Sequence, residues 1–319
     1  MEVEIMTTHV SDNTALMSSL LYNLNGQLDE LERCQEMIAR LSAMESTRKV
    51  PKEVIDYICS YSDLCKEALE GFGSDSGGVW NTIKNILGAI KNAIVKIIKV
   101  IVEAFRYLFD TQYRHRKQFL DINKNLMVLA SNPENVKRFE SIPCSVIHQR
   151  DAIDVIEKST SLVNMIRFVA TCNENKAIDD LLTQFSKLAA VEITNDTFTD
   201  KLASLAGQKY SSFKDAGWTL AGLQECTKKH IDSISGVETL KSTKSALEKD
   251  IGKLERQVND AMQNNVPVES VQYLQKTTAM KIRIVRIIGN AIQVLNNRSN
   301  GITNILKAIN AEASRIMKS

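Results

Sequence analysis

Apolar side chains recur at spacings of three and four residues through the stretch that follows Trp80. This spacing is typical of one face of an α-helix. The apolar positions are Ile83, Leu87, Ile90, Ile94, Ile97, Ile101, Phe105 and Leu108. The other side carries Lys84, Lys91, Lys96, Lys99 and Arg106, and the basic residues Arg114, Arg116 and Lys117 follow. The pattern predicts a long amphipathic helix over residues 80–120 with a cationic outer side.

A second periodic stretch lies nearer the N-terminus. Met17, Leu24, Leu31 and Ile38 recur every seven residues, which is the repeat of a helix packed along one seam. Pro51 stands where a further helix can begin, and the run VIDYICSYSDLCKEALEGF predicts one continuous helix that ends near Phe72. We therefore predict a helical hairpin over residues 1–70.

The residues between these two stretches are rich in glycine and serine. The sequence GFGSDSGG favours a break, because glycine loses much entropy in a helix and because Ser and Asp side chains compete for backbone hydrogen bonds. No Lys follows the glycines in the order that a phosphate-binding loop requires. We predict an exposed, protease-accessible hinge over residues 71–79.

The remainder, residues 121–319, predicts a helical bundle. The chain has only four prolines and 13 glycines in 319 residues, so few positions interrupt helices. Near the end, AMKIRIVRIIGNAIQVL and GITNILKAINAEASRIM predict two separate basic amphipathic helices, the first of which carries Lys281, Arg283 and Arg286. The fold class predicted for the whole chain is all-α, a multi-helix bundle with a long central amphipathic helix.

Charge is distributed unevenly along the chain. The formal net charge of +2 is the balance of −8 over residues 1–78, +6 over 79–119, −3 over 120–269 and +7 over 270–319. An acidic leader followed by basic segments indicates contact with a polyanion or an anionic membrane surface. No apolar run is long enough to cross a bilayer, since lysines interrupt even the most apolar stretch.

No motif for catalysis or metal binding is present in the sequence. His9, His115, His148 and His230 are far apart, and no H-E-x-x-H, G-x-S-x-G or dinucleotide-binding glycine pattern occurs. The six cysteines are dispersed without a C-x-x-C pair, which argues against a zinc site and predicts half-buried free thiols. We expect no enzymatic activity, no cofactor, no metal and no small-molecule substrate.

The junction EALEGFGSDSGGVWNTIKNILGAIKNAIVKIIKVIVEAFRYLFD resembles one found in internal head proteins of large tailed bacteriophages. In that family an acidic helical propeptide ends at a short A-x-E cleavage site, and a Trp-led lysine-rich helix with an aromatic end follows. The matching residues are Ala68, Leu69 and Glu70 before Gly71, then Trp80, then the segment 105–109. The resemblance covers about residues 1–120.

The resemblance implies a non-enzymatic virion protein that a prohead protease cuts between Glu70 and Gly71. Its expected location is the host cytoplasm before packaging and the capsid interior afterwards. The implied partners are genomic DNA, bound without sequence preference, and capsid or other internal virion proteins. Ejection with the genome, followed by contact with a membrane surface, extends the same hypothesis. Removal of residues 1–70 would leave residues 71–319 with a net charge of +9.

Two other functions fit the same pattern. The amphipathic helix and its flanking basic residues suit an α-helical membrane-active protein that forms pores or binds the bilayer interface. A central bundle helix with lysines on its solvent side would explain the pattern without either ligand, in a scaffold that binds only protein. The candidate contact residues for DNA or membrane are Trp80, Lys84, Lys91, Lys96, Lys99, Arg106, Arg114, Arg116, Lys117, Lys281, Arg283 and Arg286.

Overall fold

The computed structural model describes residues 3–4, 12–45, 51–70, 78–186, 208–261 and 268–318. Its helices are α1 (Asp12–Glu45), α2 (Lys52–Cys59), α3 (Asp63–Glu70), α4 (Gly78–Ala130), α5 (Pro133–Glu140), α6 (Gln149–Val169), α7 (Asn175–Ser186), α8 (Leu220–Val237), α9 (Leu240–Ala261) and α10 (Val268–Lys318). Three two-residue strands are β1 (Val3–Glu4), β2 (Cys144–Ser145) and β3 (Lys209–Tyr210). The all-α multi-helix bundle is confirmed.

Two long helices, α4 and α10, form the centre of the bundle. They contain 53 and 51 residues, so each is about 80 Å long. Ser299 Oγ of α10 donates to Gln112 Oε1 of α4 at 2.8 Å, and Thr303 Oγ1 lies 3.2 Å from His115 Nδ1. Because the residue numbers increase together in the two contacts, α4 and α10 run in the same direction.

The prediction of two separate C-terminal helices was wrong, since α10 is continuous through the polar run that ends at Gly301. The run looked like a break because Asn, Ser and Gly are common in turns. In the bundle its side chains Asn296, Arg298 and Ser299 are buried, and Ser299 bonds to α4. These polar residues therefore serve a helix–helix contact and do not end the helix.

The buried apolar side chains form two clusters, one at each end of the α4–α10 pair. The first cluster contains residues 83–108 of α4 and 282–295 of α10, together with residues from α1, α6 and α9. The second contains residues 119–129 of α4 and 302–316 of α10, with residues from α5, α6 and α8. Between the clusters lies a polar belt, which we define as Gln112, His115, His230, Ser299 and Thr303.

The N-terminal helices belong to the first cluster. Leu24, Leu28, Leu31, Ile38 and Leu41 of α1 are each at most 2% exposed. They share this cluster with the isoleucines of α4 and α10. Helix α1 packs mainly against α4 and α10, and it touches α2 and α3 only lightly. The acidic leader is therefore part of the bundle core and does not form a hairpin packed chiefly on itself.

The helix expected between Pro51 and Phe72 is divided into α2 and α3. Ser60 Oγ donates to the carbonyl oxygen of Tyr57 at 2.6 Å, and the turn ends at Ser62. Ser62 Oγ accepts a hydrogen bond from the Cys65 N–H at 3.1 Å, as an N-cap does, while Glu30 Oε1 of α1 accepts one from the Leu64 N–H. Side-chain bonds to the backbone thus replace one continuous helix with two short ones.

Helix α4 is longer than its sequence pattern indicated. It begins at Gly78 and ends at Ala130, ten residues beyond the expected end. The extension packs into the second cluster through Leu126 and Leu129. Gly78 and Val79, expected in the hinge, are helical, while residues 71–77 lie outside the described residues. Within the described ranges, no helix has the length and apolar content needed to cross a bilayer.

A small sheet and a tight turn close the second cluster. Strand β2 pairs with β1 in parallel and with β3 antiparallel, with Cys144 opposite both Val3 and Tyr210. After β3, Gly217 adopts a φ of 77°, and Trp218 Nε1 donates to the Ile147 carbonyl oxygen at 2.7 Å. The turn places the Trp218 indole, which is fully buried, in the second cluster.

Candidate nucleic-acid interface

Five of the predicted contact residues lie in one row along the solvent side of α4. Lys96, Lys99, Arg106, Arg114 and Lys117 are all exposed. At 3.6 residues per turn they fall within an arc of about 80°, and the row extends about 30 Å along the helix. We name these five residues the α4 cationic row. The opposite side of α4 is the isoleucine face, which is buried in the first cluster.

An open cleft of about 430 Å³ lies beside the row, between α4 and the α8–α9 corner. Four cations line it, Arg106 and Arg116 from α4 and Lys241 and Lys244 from α9. The other lining residues are Phe109, Asp110, Gln112, Tyr113, Ile234, Val237, Glu238 and Ser245. The cleft exists because α8 and α9 both pack on α4 on either side of the short turn at Glu238–Thr239.

Carboxylates form exposed ion pairs with three of the four cleft cations. Arg116 Nη1 lies 3.3 Å from Glu238 Oε1, and Lys244 Nζ lies 3.3 Å from Glu248 Oε1. Arg106 Nη1 lies 3.7 Å from Glu103 Oε1 on the solvent-exposed side of α4. Exposed pairs of this kind are weak and exchange readily with other anions. These cations therefore remain open to phosphate oxygens.

An exposed aromatic side chain stands at the edge of the same cleft. Tyr113 is 67% exposed, although most tyrosine surface in a folded protein is covered. Arg106 and Arg116 line the cleft with it, and Phe109 is half-buried behind. Cationic grooves with aromatic platforms bind single-stranded nucleic acid through phosphate contacts and base stacking. The arrangement is thus chemically suited to a nucleic-acid strand.

The other predicted α4 residues lie outside the α4 cationic row. Lys84, Lys91 and Arg116 are half-buried, and Trp80 lies in the first turn of the helix.

The three predicted contact residues of α10 are held in ion pairs with other helices. Lys281 pairs with Asp250 of α9, and Arg283 pairs with Asp179 of α7. Arg286 Nη2 donates to Asp29 Oδ1 at 2.8 Å, and its Nε lies 2.9 Å from Glu32 Oε1. The sequence predicted that these cations contact DNA or a membrane, whereas in the fold each forms an ion pair with another helix.

The predicted cleavage residues are at the end of an element. Ala68, Leu69 and Glu70 are the last three residues of α3, and Gly71 lies outside the described residues. The structure therefore describes the residues before the predicted cut but not the residue after it.

Two of the four histidines meet in the polar belt. His230 Nε2 lies 2.9 Å from Thr303 Oγ1, which also contacts His115. Burial lowers the pKa of His115 to about 4, and the charges of Lys307 and Arg114 act in the same direction. Burial, with the charge of His115 as a smaller cause, lowers the pKa of His230 to about 3. Both rings are therefore neutral at pH 7 and hold helices together.

A cluster of thiols between α1, α2 and α3 could not be predicted from the cysteine spacing. Cys34, Cys59 and Cys65 are fully buried, and Cys34 Sγ lies 2.9 Å from Ser62 Oγ. A hydrogen bond with the Cys65 thiol, together with burial, raises the pKa of Cys34 and of Cys59. The expectation of half-buried thiols fits only Cys172, because the other five are buried. Among the described residues, no group of three His, Cys, Asp or Glu side chains is arranged to hold a metal ion.

No protein-family model, curated protein or solved structure matches this chain.

Proposed function

We propose that the protein is a non-enzymatic internal head protein of a tailed bacteriophage, packaged in the capsid with DNA. The observation that carries the proposal is the α4 cationic row beside the Tyr113 cleft. It places phosphate-binding charge on the solvent side of the bundle. The resemblance of residues 1–120 to that family points in the same direction.

The dimensions of the row suit the DNA backbone. Duplex DNA carries about one negative charge per 1.7 Å of axis, so a row about 30 Å long faces many phosphates. Lysine and arginine in this arrangement contact phosphates without reading bases. Binding is therefore non-specific, as a protein packed against a whole genome requires.

Processing is the second part of the proposal. A prohead protease cuts between Glu70 and Gly71 during capsid maturation, at the junction that follows α3. Capsid or other internal virion proteins are the protein partners. The protein is made in the host cytoplasm, resides in the capsid interior after assembly and leaves with the genome. The resemblance supports this part of the proposal.

The membrane-active alternative is less well supported. Binding to a bilayer interface requires an exposed apolar helix face. The apolar face of α4 is covered by α1, α3, α9 and α10, and Ile83, Ile90 and Ile101 are fully buried. Membrane contact would require the first cluster to open, whereas DNA contact uses side chains that are already exposed.

Co-sedimentation with duplex DNA tests the DNA part of the proposal. Five phosphate contacts give a salt slope of about −4.5, so affinity should fall about 500-fold between 50 and 200 mM salt. The variant Lys96→Glu/Lys99→Glu should lose most of this binding. The control Lys52→Glu/Lys137→Glu changes the net charge equally at exposed positions outside the row and should bind nearly as well.

Two further results would count against the proposal. Equal losses in the two double variants would mean that only net charge matters and that the row is not the interface. Leakage of anionic vesicles without DNA binding would favour the membrane-active alternative. Processing is tested separately by intact-mass measurement of the protein from mature particles, where a full-length chain would exclude the cut.

A further inference from the structure

We propose that the leader, residues 1–70, stays bound to the rest of the protein after the chain is cut at Glu70–Gly71. The mature protein is then a two-chain complex. This inference rests on the cut in the proposed function, but the attachment itself depends only on the contacts of α1 and α3 with α4 and α10. It reverses the expectation that an acidic leader leaves and unmasks a cationic body.

The first support is the burial of α1 against the body. Leu28, Ile38 and Leu41 are fully buried, and they belong to the same cluster as Ile90 of α4 and Ile288 of α10. Helix α1 packs far more against α4 and α10 than against α2 and α3. Loss of the leader would therefore expose a long apolar strip on α4 and α10, which is strongly unfavourable in water.

The second support is a set of polar contacts that fix the position of α1. Arg286 of α10 contacts both Asp29 and Glu32, and Gln35 Nε2 donates to Thr278 Oγ1 at 2.8 Å. Thr278 is fully buried in α10. As residue numbers rise along α10 they fall along α1, so the two helices are antiparallel. Arg286 lies beside Asp29 and Glu32 only when Gln35 lies beside Thr278, so these contacts fix one alignment of the two helices.

The third support is the position of the cut. Helix α3 also packs against α4, and its Cys65 is fully buried in the first cluster. Hydrolysis adds one water across the Glu70–Gly71 amide and yields a new carboxylate and a new ammonium group. None of the described leader–body contacts involves that bond. The cut therefore frees two chain ends without removing any contact that holds the leader.

Retention has a consequence for charge. Release of the leader would change the net charge of the remaining chain from +2 to +9, whereas a retained leader leaves the complex close to +2. Among the predicted contact residues, Arg286 forms ion pairs with the leader residues Asp29 and Glu32. The α4 cationic row is already exposed in the uncut protein and does not depend on release.

The test uses the full chain with residues 71–77 replaced by the recognition sequence of a site-specific protease. After complete cutting, denaturing mass spectrometry should show two chains. Size-exclusion chromatography and native mass spectrometry should show one species whose mass is the uncut mass plus one water. A leader that elutes separately from the body under native conditions would overturn the inference.

Variants of the ion pairs refine the test without disturbing the core. Asp29→Ala/Glu32→Ala should release the cut leader about tenfold faster on dilution, as loss of about 1.4 kcal/mol predicts. The control Glu36→Ala removes an exposed carboxylate from the same helix and should leave the release rate unchanged. Equal rates for both variants would contradict the assigned register of α1.

The two proposals fail in different ways. An uncut chain in virions would exclude natural processing and leave the engineered two-chain complex intact. Dissociation of the engineered complex would exclude retention, whatever happens in virions.

Discussion

Arg286 in the last helix reaches Asp29 in the first, with Nη2 donating to Oδ1 at 2.8 Å across 257 residues of sequence. The contact joins the acidic leader to the basic C-terminal segment. It shows that part of the uneven charge along the chain is balanced within the fold. The five residues of the α4 cationic row stay exposed on the solvent side of α4, where we propose the DNA interface.

The burial of α1 predicts that a leader mutation destabilises the whole bundle. Leu31→Ala should lower the free energy of unfolding by about 2–5 kcal/mol, because Leu31 is 1% exposed and its removal leaves a cavity. Urea unfolding monitored by tryptophan fluorescence measures the change. The matched control Tyr22→Ala, at a site 79% exposed on the same helix, should change it by about 0.5 kcal/mol or less. A small effect of Leu31→Ala would mean that the leader is peripheral.

The exposed Tyr113 predicts a contribution to single-stranded DNA binding that the α4 cationic row alone would not give. Tyr113→Ala should weaken binding of a single-stranded oligonucleotide by about 1–3 kcal/mol, since one base loses its stacking partner. Binding to duplex DNA, whose bases are already stacked, should change little. Fluorescence anisotropy with both DNA forms measures the difference, and Tyr22→Ala serves as the control for an exposed tyrosine elsewhere. Equal effects on both forms would argue against stacking.

The two histidines of the polar belt predict acid sensitivity. Their pKa values are lowered by folding to about 4 and about 3, so between about pH 4 and 6 the unfolded chain binds two protons that the folded chain does not. The stability that the two neutral histidines contribute is fully present above about pH 6.5 and is lost as the pH falls. The slope is about 2.7 kcal/mol per pH unit for the pair.

Protonation of carboxylates also changes the free energy of unfolding in acid. The contribution of the histidines is therefore measured by comparing the native protein with a variant that lacks them. Urea unfolding of the native protein and of His115→Gln/His230→Gln at several pH values gives the two slopes. The double variant should have the lower slope between pH 4 and 6, whatever its stability at pH 7. Identical slopes would mean that the histidines are not neutral in the fold.

Two glycines predict opposite effects of the same substitution. Gly217→Ala should destabilise by about 1–3 kcal/mol, because φ is 77° and the new Cβ would lie 2.9 Å from His148 Cε1. Gly26→Ala, in the middle of α1 with no atom within 4 Å of the new Cβ, should stabilise by about 0.5–1 kcal/mol. Thermal unfolding of the two variants should shift the midpoint in opposite directions. A neutral Gly217→Ala would contradict the turn geometry.

The sequence was sufficient to predict the elements whose hydrophobic period is strong. The isoleucines of α4 and the heptads of α1 each specify one buried face, and the fold buries those faces. The period could not show that α10 continues past Asn296, because that depends on Gln112, a residue nearly two hundred positions away. Nor could it show that Ser62 and Glu30 would divide α2 from α3, since their bonds join separate helices.

The candidate site was predictable to a similar extent. The five residues of the α4 cationic row were identified, because their exposure follows from the helix period alone. The cleft was not, because Lys241 and Lys244 come from α9 and approach Arg116 only in the folded chain. The pairing of Lys281 and Arg283 with distant carboxylates was hidden for the same reason.

The polar belt restricts how the two central helices can slide along each other. A shift of α10 by one helical turn, about 5.4 Å, would separate Ser299 from Gln112 and Thr303 from the two histidines. Each buried group left without a hydrogen-bond partner would cost about 1–3 kcal/mol. Two long, isoleucine-rich helices could otherwise interdigitate in several offsets of similar energy. The belt therefore selects one axial alignment of α4 and α10.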